Sequence, residues 1–230
     1  AGRMFELSGA STSIAVGSGT RAAARTLLLE ATGPAGSLHR TYKMAQTLIE
    51  ILSGIATGAR AIVDAAQSVN PHCRVACTRK HMPGMKQWAL RAIEAGGAVP
   101  HRLGLSDYVL VFEEHRTLLN DAAPLSEHFA RLKAHAPERR LAAEATDIDG
   151  AAALARAGAE IIQVDKMTPE QVAATAAVLS TLSPRPVLAA AGGINAANAA
   201  AYAAAGADIL VTSAPYQAPP RDVKVRILPE

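Results

Sequence analysis

The sequence predicts an α/β fold built as a barrel, on three observations. Seven short apolar runs alternate with helical stretches from Pro71 onward. Strands that are apolar on both faces and separated by helices belong to parallel sheets. Second, a turn recurs: ALARAGAE at 153–160 precedes IIQV, AYAAAGAD at 201–208 precedes ILVT, and AIEAGGAV at 92–99 is a looser copy. Each reads as a helix ended by glycine before a buried strand. Third, no dinucleotide-binding glycine fingerprint follows an early run, which favours a barrel over a doubly wound open sheet using the same turn.

In order, residues 1–33 carry weak strand signals, RMFEL and then RTLLLEA at 25–31. The opening reads as a domain entered partway, with an amino-terminal portion absent. TGPAGS at 32–37 is a Gly/Pro loop. A helical stretch runs from about Leu38 to Ser53 and resumes from Ala59 to about Val69; Gly54 and Gly58 between them mark a bend or a tight crossing. Asn70-Pro71 closes it. The seven runs are 74–78, 98–100, 108–112, 141–144, 161–164, 187–190 and 208–211. Helices are predicted near 83–95, 126–135, 149–157, 169–182 and 196–205.

At 230 residues, half of them hydrophobic, the chain can bury a large core and is not disordered. A net charge of +3 with no long basic run points away from nucleic acid. Apolar runs are too short to span a membrane and no signal peptide is visible, so a cytoplasmic location is expected. Cys73 and Cys77 lie four apart. On one strand that is ~13 Å, beyond disulfide reach, and both read as core thiols.

A barrel presents its chemistry at the carboxyl ends of its strands. The first run is followed by Arg79 and Lys80, the second by His101 and Arg102, the third by Glu113, Glu114 and His115. Glu144 ends the fourth run, Asp165 and Lys166 follow the fifth, and Gly192 and Gly193 follow the sixth. Clustered arginine and lysine suit a polyanion such as a phosphate ester. Glu144 and Asp165 can hold Mg²⁺ together or stabilise a cationic sugar carbon; an ion pair with a rim cation is the plainer alternative. AAAGGIN at 189–195 offers N–H donors for a phosphate, with Asn195 capping a helix from Ala196, or is a plain tight turn. His115 reads as a base, a phosphate ligand or a loop histidine.

These motifs resemble one family. SGIAT at 53–57, TRKHMPGMK at 78–86, GGAVPHRLGLSD at 96–107, VDKM at 164–167 and AAGGIN at 190–195 are similar to nicotinate-nucleotide pyrophosphorylases, the quinolinate phosphoribosyltransferases. VTSAPYQAPPRDVKVRI at 211–227 looks most like the members found with molybdenum-transport operons. The resemblance implies a seven-stranded incomplete α/β barrel preceded by a smaller α/β sandwich domain, to which the carboxyl end returns. The domains would be 1–70 joined by 222–230, and 71–221.

It further implies transfer of phosphoribosyl from phosphoribosyl diphosphate, with Mg²⁺ and release of diphosphate, in a homodimer or higher oligomer. By position, Arg79, Lys80, His101 and Arg102 match the basic residues that hold acidic substrate and diphosphate. Lys43 matches an arginine donated to the neighbouring subunit's site. Glu144 and Asp165 match the acidic pair near ribose and metal; with Lys80 they form the expected catalytic set. Gly192 and Gly193 match the glycines at the 5′-phosphate. The sequence departs at VFEEH: Phe112 and Glu113 stand where the family has lysine and aspartate. Lys166 replaces an asparagine, and Ala191 a serine. The sugar-phosphate side is thus retained and the base side altered, so the expected acceptor is left unassigned. Quinolinate, with Lys166 supplying the missing charge, is the alternative, and a non-catalytic oxyanion- or nucleotide-binding protein a third reading.

Overall fold

The computed structural model describes residues 1–119 and 122–229. Helix α1 (Gly2–Leu7) leads into an antiparallel pair, β1 (Ser11–Ile14) and β2 (Leu29–Thr32). Helix α2 (Ala35–Gln67) follows as 33 unbroken residues. Then come β3 (Arg74–Cys77), α3 (Lys86–Ala95), β4 (Val99–Pro100), β5 (Val109–Val111), α4 (Glu113–Thr117) and α5 (Leu125–His135). The last part runs β6 (Leu141–Ala145), α6 (Ile148–Arg156), β7 (Ile161–Asp165), α7 (Pro169–Ser180), β8 (Val187–Ala191), α8 (Ala199–Ala204) and β9 (Ile209–Thr212). A 3₁₀ turn at Ala214–Gln217 ends it.

The seven strands β3–β9 form one parallel sheet in the order β4-β3-β9-β8-β7-β6-β5. It is the incomplete barrel expected, preceded by a small two-stranded sheet. β4 and β5 are its two edges and do not pair with each other.

Strand alternation sorts the side chains. Ile162, Val164, Leu188, Ala190 and Leu210 face outward into the large core shared with the helices. Ala189, Ala191 and Val211 face inward with Ile161 and Ile209. The expected recurring turn is present three times. Ala98, Ala159 and Ala207 donate back to the Ile93, Leu154 and Tyr202 carbonyls at 3.0, 3.1 and 3.3 Å. The acid that follows two of them starts a neighbouring strand: Glu160 accepts from the Leu141 N–H and Asp208 from the Leu188 N–H, both at 2.8 Å. Cys73 and Cys77 are buried and free, and burial pushes their thiols up to about 11 and 12.

Two expectations at the amino end are corrected. RMFEL is helix α1 rather than a strand, because Ala1, Met4 and Phe5 lie at helical spacing and pack on Ala45 and Leu29. Gly54 and Gly58 do not interrupt α2. They admit the returning carboxyl segment instead: a Cβ on Gly54 would sit 2.4 Å from the Pro219 carbonyl oxygen, and one on Gly58 2.8 Å from the Ala218 methyl. That segment is tied down by the Arg221 N–H to the Glu50 carbonyl at 3.0 Å, and by the Gln46 amide to the Val223 carbonyl at 2.6 Å. Among the described residues no helix is long and apolar enough to cross a membrane.

Candidate active site at the barrel mouth

Parallel pairing carries every expected rim residue except Lys43 and His115 to one end of the sheet. β3 continues through the Thr78 N–H, which donates to the Thr212 carbonyl at 2.9 Å, and this launches Arg79 and Lys80 into solvent. The His101 N–H donates to the Cys77 carbonyl at 2.8 Å, so β4 delivers His101 and Arg102 beside them. Arg79 stands near enough to Arg102 for its charge to act on that guanidinium, which burial already holds below its ordinary value.

His101 is not the cation the sequence suggested. Its Nε2 lies 2.6 Å from the Tyr108 hydroxyl. Burial, and then the Arg102 charge, lower its pKa to about 4, so the ring is neutral at pH 7. Burial also pushes the Tyr108 phenol up to about 12. His101 therefore adds a hydrogen-bonding surface, not charge.

The acidic side is built on β6 and β7. Their register sets Glu144 opposite Gln163, with Asp165 two residues further along the same face. The Gln163 amide donates to Glu144 Oε2 at 2.6 Å. Burial raises the Glu144 carboxyl above its ordinary value; the Gln163 hydrogen bond opposes that, and the Asp165 charge adds to it. The Arg116 guanidinium donates to the Glu144 backbone carbonyl at 2.9 Å and pins α4 to this strand end. Gln163 is 5% exposed and its Oε1 has no hydrogen-bond partner among the described residues.

Two hard oxygen donors and no third acidic, histidine or cysteine ligand among the described residues do not make a closed protein metal site. They do fit Mg²⁺, which keeps waters and is commonly held by one or two carboxylates together with substrate phosphates.

Lys166 follows Asp165 at the end of β7, on the acidic side. Its backbone is left-handed at φ +58°, and its Nζ is 3.8 Å from Asp165 Oδ2 on a side chain 83% exposed. The glycine turn wraps over it: Gly192 has φ +92° and its missing Cβ leaves room for the Lys166 backbone and Asp165. Gly193, at φ +75°, faces open space. The helix expected from Ala196 begins only at Ala199. Asn195 and Asn198 instead brace the turn, each donating to the Gly193 carbonyl at 3.1 Å, and Asn195 Oδ1 accepts from the Ala197 N–H at 2.9 Å.

Two expected residues, His115 and Lys43, hold other positions, while Phe112 stays at the mouth. His115 caps α4, its Nδ1 accepting from the Phe112 N–H at 3.0 Å. It also borders a groove of about 490 Å³ on the outer side of β5, lined by Val109, Phe129 and Leu132 among others, away from the mouth. Lys43 is exposed on α2 and donates to Gln46 Oε1 at 3.1 Å. Phe112 closes β5 on the inward side with Leu110, and its ring lies 6.0 Å from the Arg102 guanidinium carbon. The reading from sequence passed over Tyr108 and Gln163. A lone amide inside the apolar run IIQV was the available signal for the second.

Comparison with known proteins agrees with this fold. Residues 55–226 match the family model described as quinolinate phosphoribosyl transferase, C-terminal domain. The ModD pyrophosphorylase of Rhodobacter capsulatus is 49% identical over 200 residues, which span 86% of this chain and 76% of that protein. A nicotinate-nucleotide pyrophosphorylase (carboxylating) of Archaeoglobus fulgidus is 30% identical over 202 residues, or 85% of this chain and 75% of its own. The crystal structure of NadC from Streptococcus pyogenes superposes with a TM-score of 0.83 at 24% identity, covering 96% of this chain and 76% of that one, and supports the fold.

Proposed function

The chain belongs to the quinolinate phosphoribosyl transferase family, and from that premise we propose that it moves phosphoribosyl from phosphoribosyl diphosphate to a pyridine carboxylate, releasing diphosphate. The observation that carries this reading is the gathering of Arg79, Arg102, Glu144, Asp165 and the Gly192–Gly193 turn at one end of a parallel sheet.

Arg79 and Lys80 take the leaving diphosphate, where a guanidinium fork and a mobile ammonium match its oxygens. The braced turn at Gly192 and Gly193 receives the 5′-phosphate through backbone N–H groups. Glu144 and Asp165 face the sugar carbon as it becomes oxocarbenium-like, and their negative charge stabilises it. The same two carboxylates would hold Mg²⁺, which supplies positive charge to the diphosphate. Arg102 receives the acceptor's carboxylate.

The family model and the carboxylating relative support quinolinate as the acceptor better than the unassigned acceptor expected from VFEEH. A tie to molybdenum transport or use is the finer part of the proposal and rests on the resemblance of residues 211–227. So does a site completed by a second copy, for which exposed Lys43 on α2 is the candidate contribution, and so does a two-domain division at residue 70.

The test is an assay with phosphoribosyl diphosphate, Mg²⁺ and quinolinate, following diphosphate release and nucleotide by chromatography. Formation of nicotinate mononucleotide, with the quinolinate 2-carboxylate released as carbon dioxide, supports the proposal. Diphosphate release only with other pyridine carboxylates moves the acceptor. Binding without any turnover overturns the reading in favour of a nucleotide- or oxyanion-binding protein.

A further inference from the structure

The two edges of the seven-stranded sheet leave a seam where no strand pairs β4 with β5. Side chains bridge that seam at the mouth. His101 and Arg102 follow β4, while Tyr108 and Phe112 flank β5 on its inward side. The His101 ring meets the Tyr108 ring edge to face, with centroids 5.6 Å apart, and shares the 2.6 Å hydrogen bond. The Arg102 guanidinium carbon stands 5.7 Å from the Tyr108 ring centre and 6.0 Å from that of Phe112. Both distances suit cation–π attraction, which strengthens as water is excluded.

The state of Arg102 is what points to a ligand. Its guanidinium has five N–H donors in a flat fork. Among the described residues none of them makes a hydrogen bond, and no carboxylate pairs with it. Asp107, the nearby acid, is spent on the Leu103 N–H at 2.7 Å. The protein thus holds this cation by its π-faces and leaves its edge unspent. Neutral His101 beside it adds no second charge.

We propose that Tyr108 and Phe112 are specificity-determining residues: they fix Arg102 across the barrel seam so that the site takes a planar aromatic acid, its carboxylate on the guanidinium edge and its ring against Phe112. A carboxylate matches the fork in two hydrogen bonds, and that match fixes the plane of the acid. A flat ring in that plane gains the offset contact with Phe112. A puckered ring of the same size does not.

This rests on the proposed acceptor site but is tested by binding alone. Quinolinate, nicotinate and cyclohexanecarboxylate are titrated calorimetrically into the native protein and into Phe112→Ala, Phe112→Leu, Phe112→Tyr and Tyr108→Phe. The native protein is expected to bind the better aromatic acid about tenfold or more tightly than cyclohexanecarboxylate. Phe112→Ala and Phe112→Leu should bring that ratio to within about twofold, the leucine variant keeping the site filled. Phe112→Tyr and Tyr108→Phe, which keep both rings, should retain it. A native protein that does not discriminate, or a ratio unchanged in both Phe112→Ala and Phe112→Leu, overturns the inference. Aromatic selectivity without diphosphate release would sink the proposed reaction and leave this assignment standing. Turnover with no such selectivity would do the reverse.

Discussion

Gly192→Ala is the substitution whose consequence the structure fixes most closely. The new Cβ would lie 2.6 Å from both the Lys166 backbone nitrogen and its Cγ, and 2.9 Å from Asp165 Oδ1. The nitrogen cannot retreat easily, because it donates to the Ala191 carbonyl at 2.8 Å. A non-glycine residue at φ +92° costs about 1–2 kcal/mol in backbone strain. Overpacking against a held neighbour adds about 1–3 kcal/mol. The sum is about 2–5 kcal/mol, or a Tm lower by roughly 4–20 °C for a chain of this size. Gly193→Ala is the internal control: at φ +75°, with nothing within 4 Å of its Cβ position, it carries the strain alone. Urea unfolding of both variants gives the two free energies. Titration with phosphoribosyl diphosphate should show the larger loss in Gly192→Ala, since the methyl also displaces Asp165. Equal destabilisation by the two substitutions would refute the reasoning.

The other predictions are more local. Arg79→Ala and Lys80→Ala should each weaken phosphoribosyl diphosphate binding about 30- to 150-fold by calorimetry at unchanged Tm, because both side chains are exposed and leave no cavity. Lys166→Asn should stabilise the protein by about 0.5–1 kcal/mol in urea, since asparagine tolerates the left-handed backbone at φ +58° better than lysine does. His101 is held neutral, with a folded pKa of about 4 below the ordinary ~6.5. The unfolded chain then binds more protons between those values, so this contribution is complete above pH ~6.5 and is lost as pH falls towards 4. It amounts to about 3 kcal/mol at most, and His101→Asn should flatten that part of the stability profile. Light scattering at micromolar concentration should give at least twice the chain mass; a monomer that turns over would remove Lys43 from the site.

The sheet was legible because its signal is local. Each strand from β3 to β9 is a short apolar run, and the glycine-ended helix that leads into β4, β7 and β9 repeats along the chain. The rim residues were legible for the same reason: a parallel strand has one chemical end, and the residues just beyond each run must meet there. The features that the sequence hid depend on contacts between distant segments. Gly54 and Gly58 read as a bend or a tight crossing without a partner named, because Ala218 and Pro219, which need their missing side chains, lie some 160 residues away. RMFEL read as a strand because five residues are too few to separate the two periods, and only Ala45 and Leu29 decide it. His101 read as charged because its neutrality comes first from burial across the seam, to which the Arg102 charge adds. Phe112 read as a loss of charge, and the approach of its ring to within 6.0 Å of the Arg102 guanidinium carbon depends on a contact across the seam.

Helix α2 has a mechanical consequence. Its 33 residues make a rod of about 50 Å. The first half is seated on Phe5 and Ala10 through Ala45, and the second half, from Ile55 to Ala66, is built into the barrel core. A rigid rod seated in both clusters transmits rotation as well as displacement. The carboxyl segment locked at Gly54 and Gly58 sets its phase. Lys43 lies eleven residues before that lock, so its bearing is fixed by winding: each residue added between Lys43 and Gly54 would turn the ammonium by about 100° and advance it by about 1.5 Å. A one-residue insertion there would aim Lys43 elsewhere with the barrel untouched, whereas seven residues, close to two full turns, would nearly restore its direction at about 10 Å greater reach.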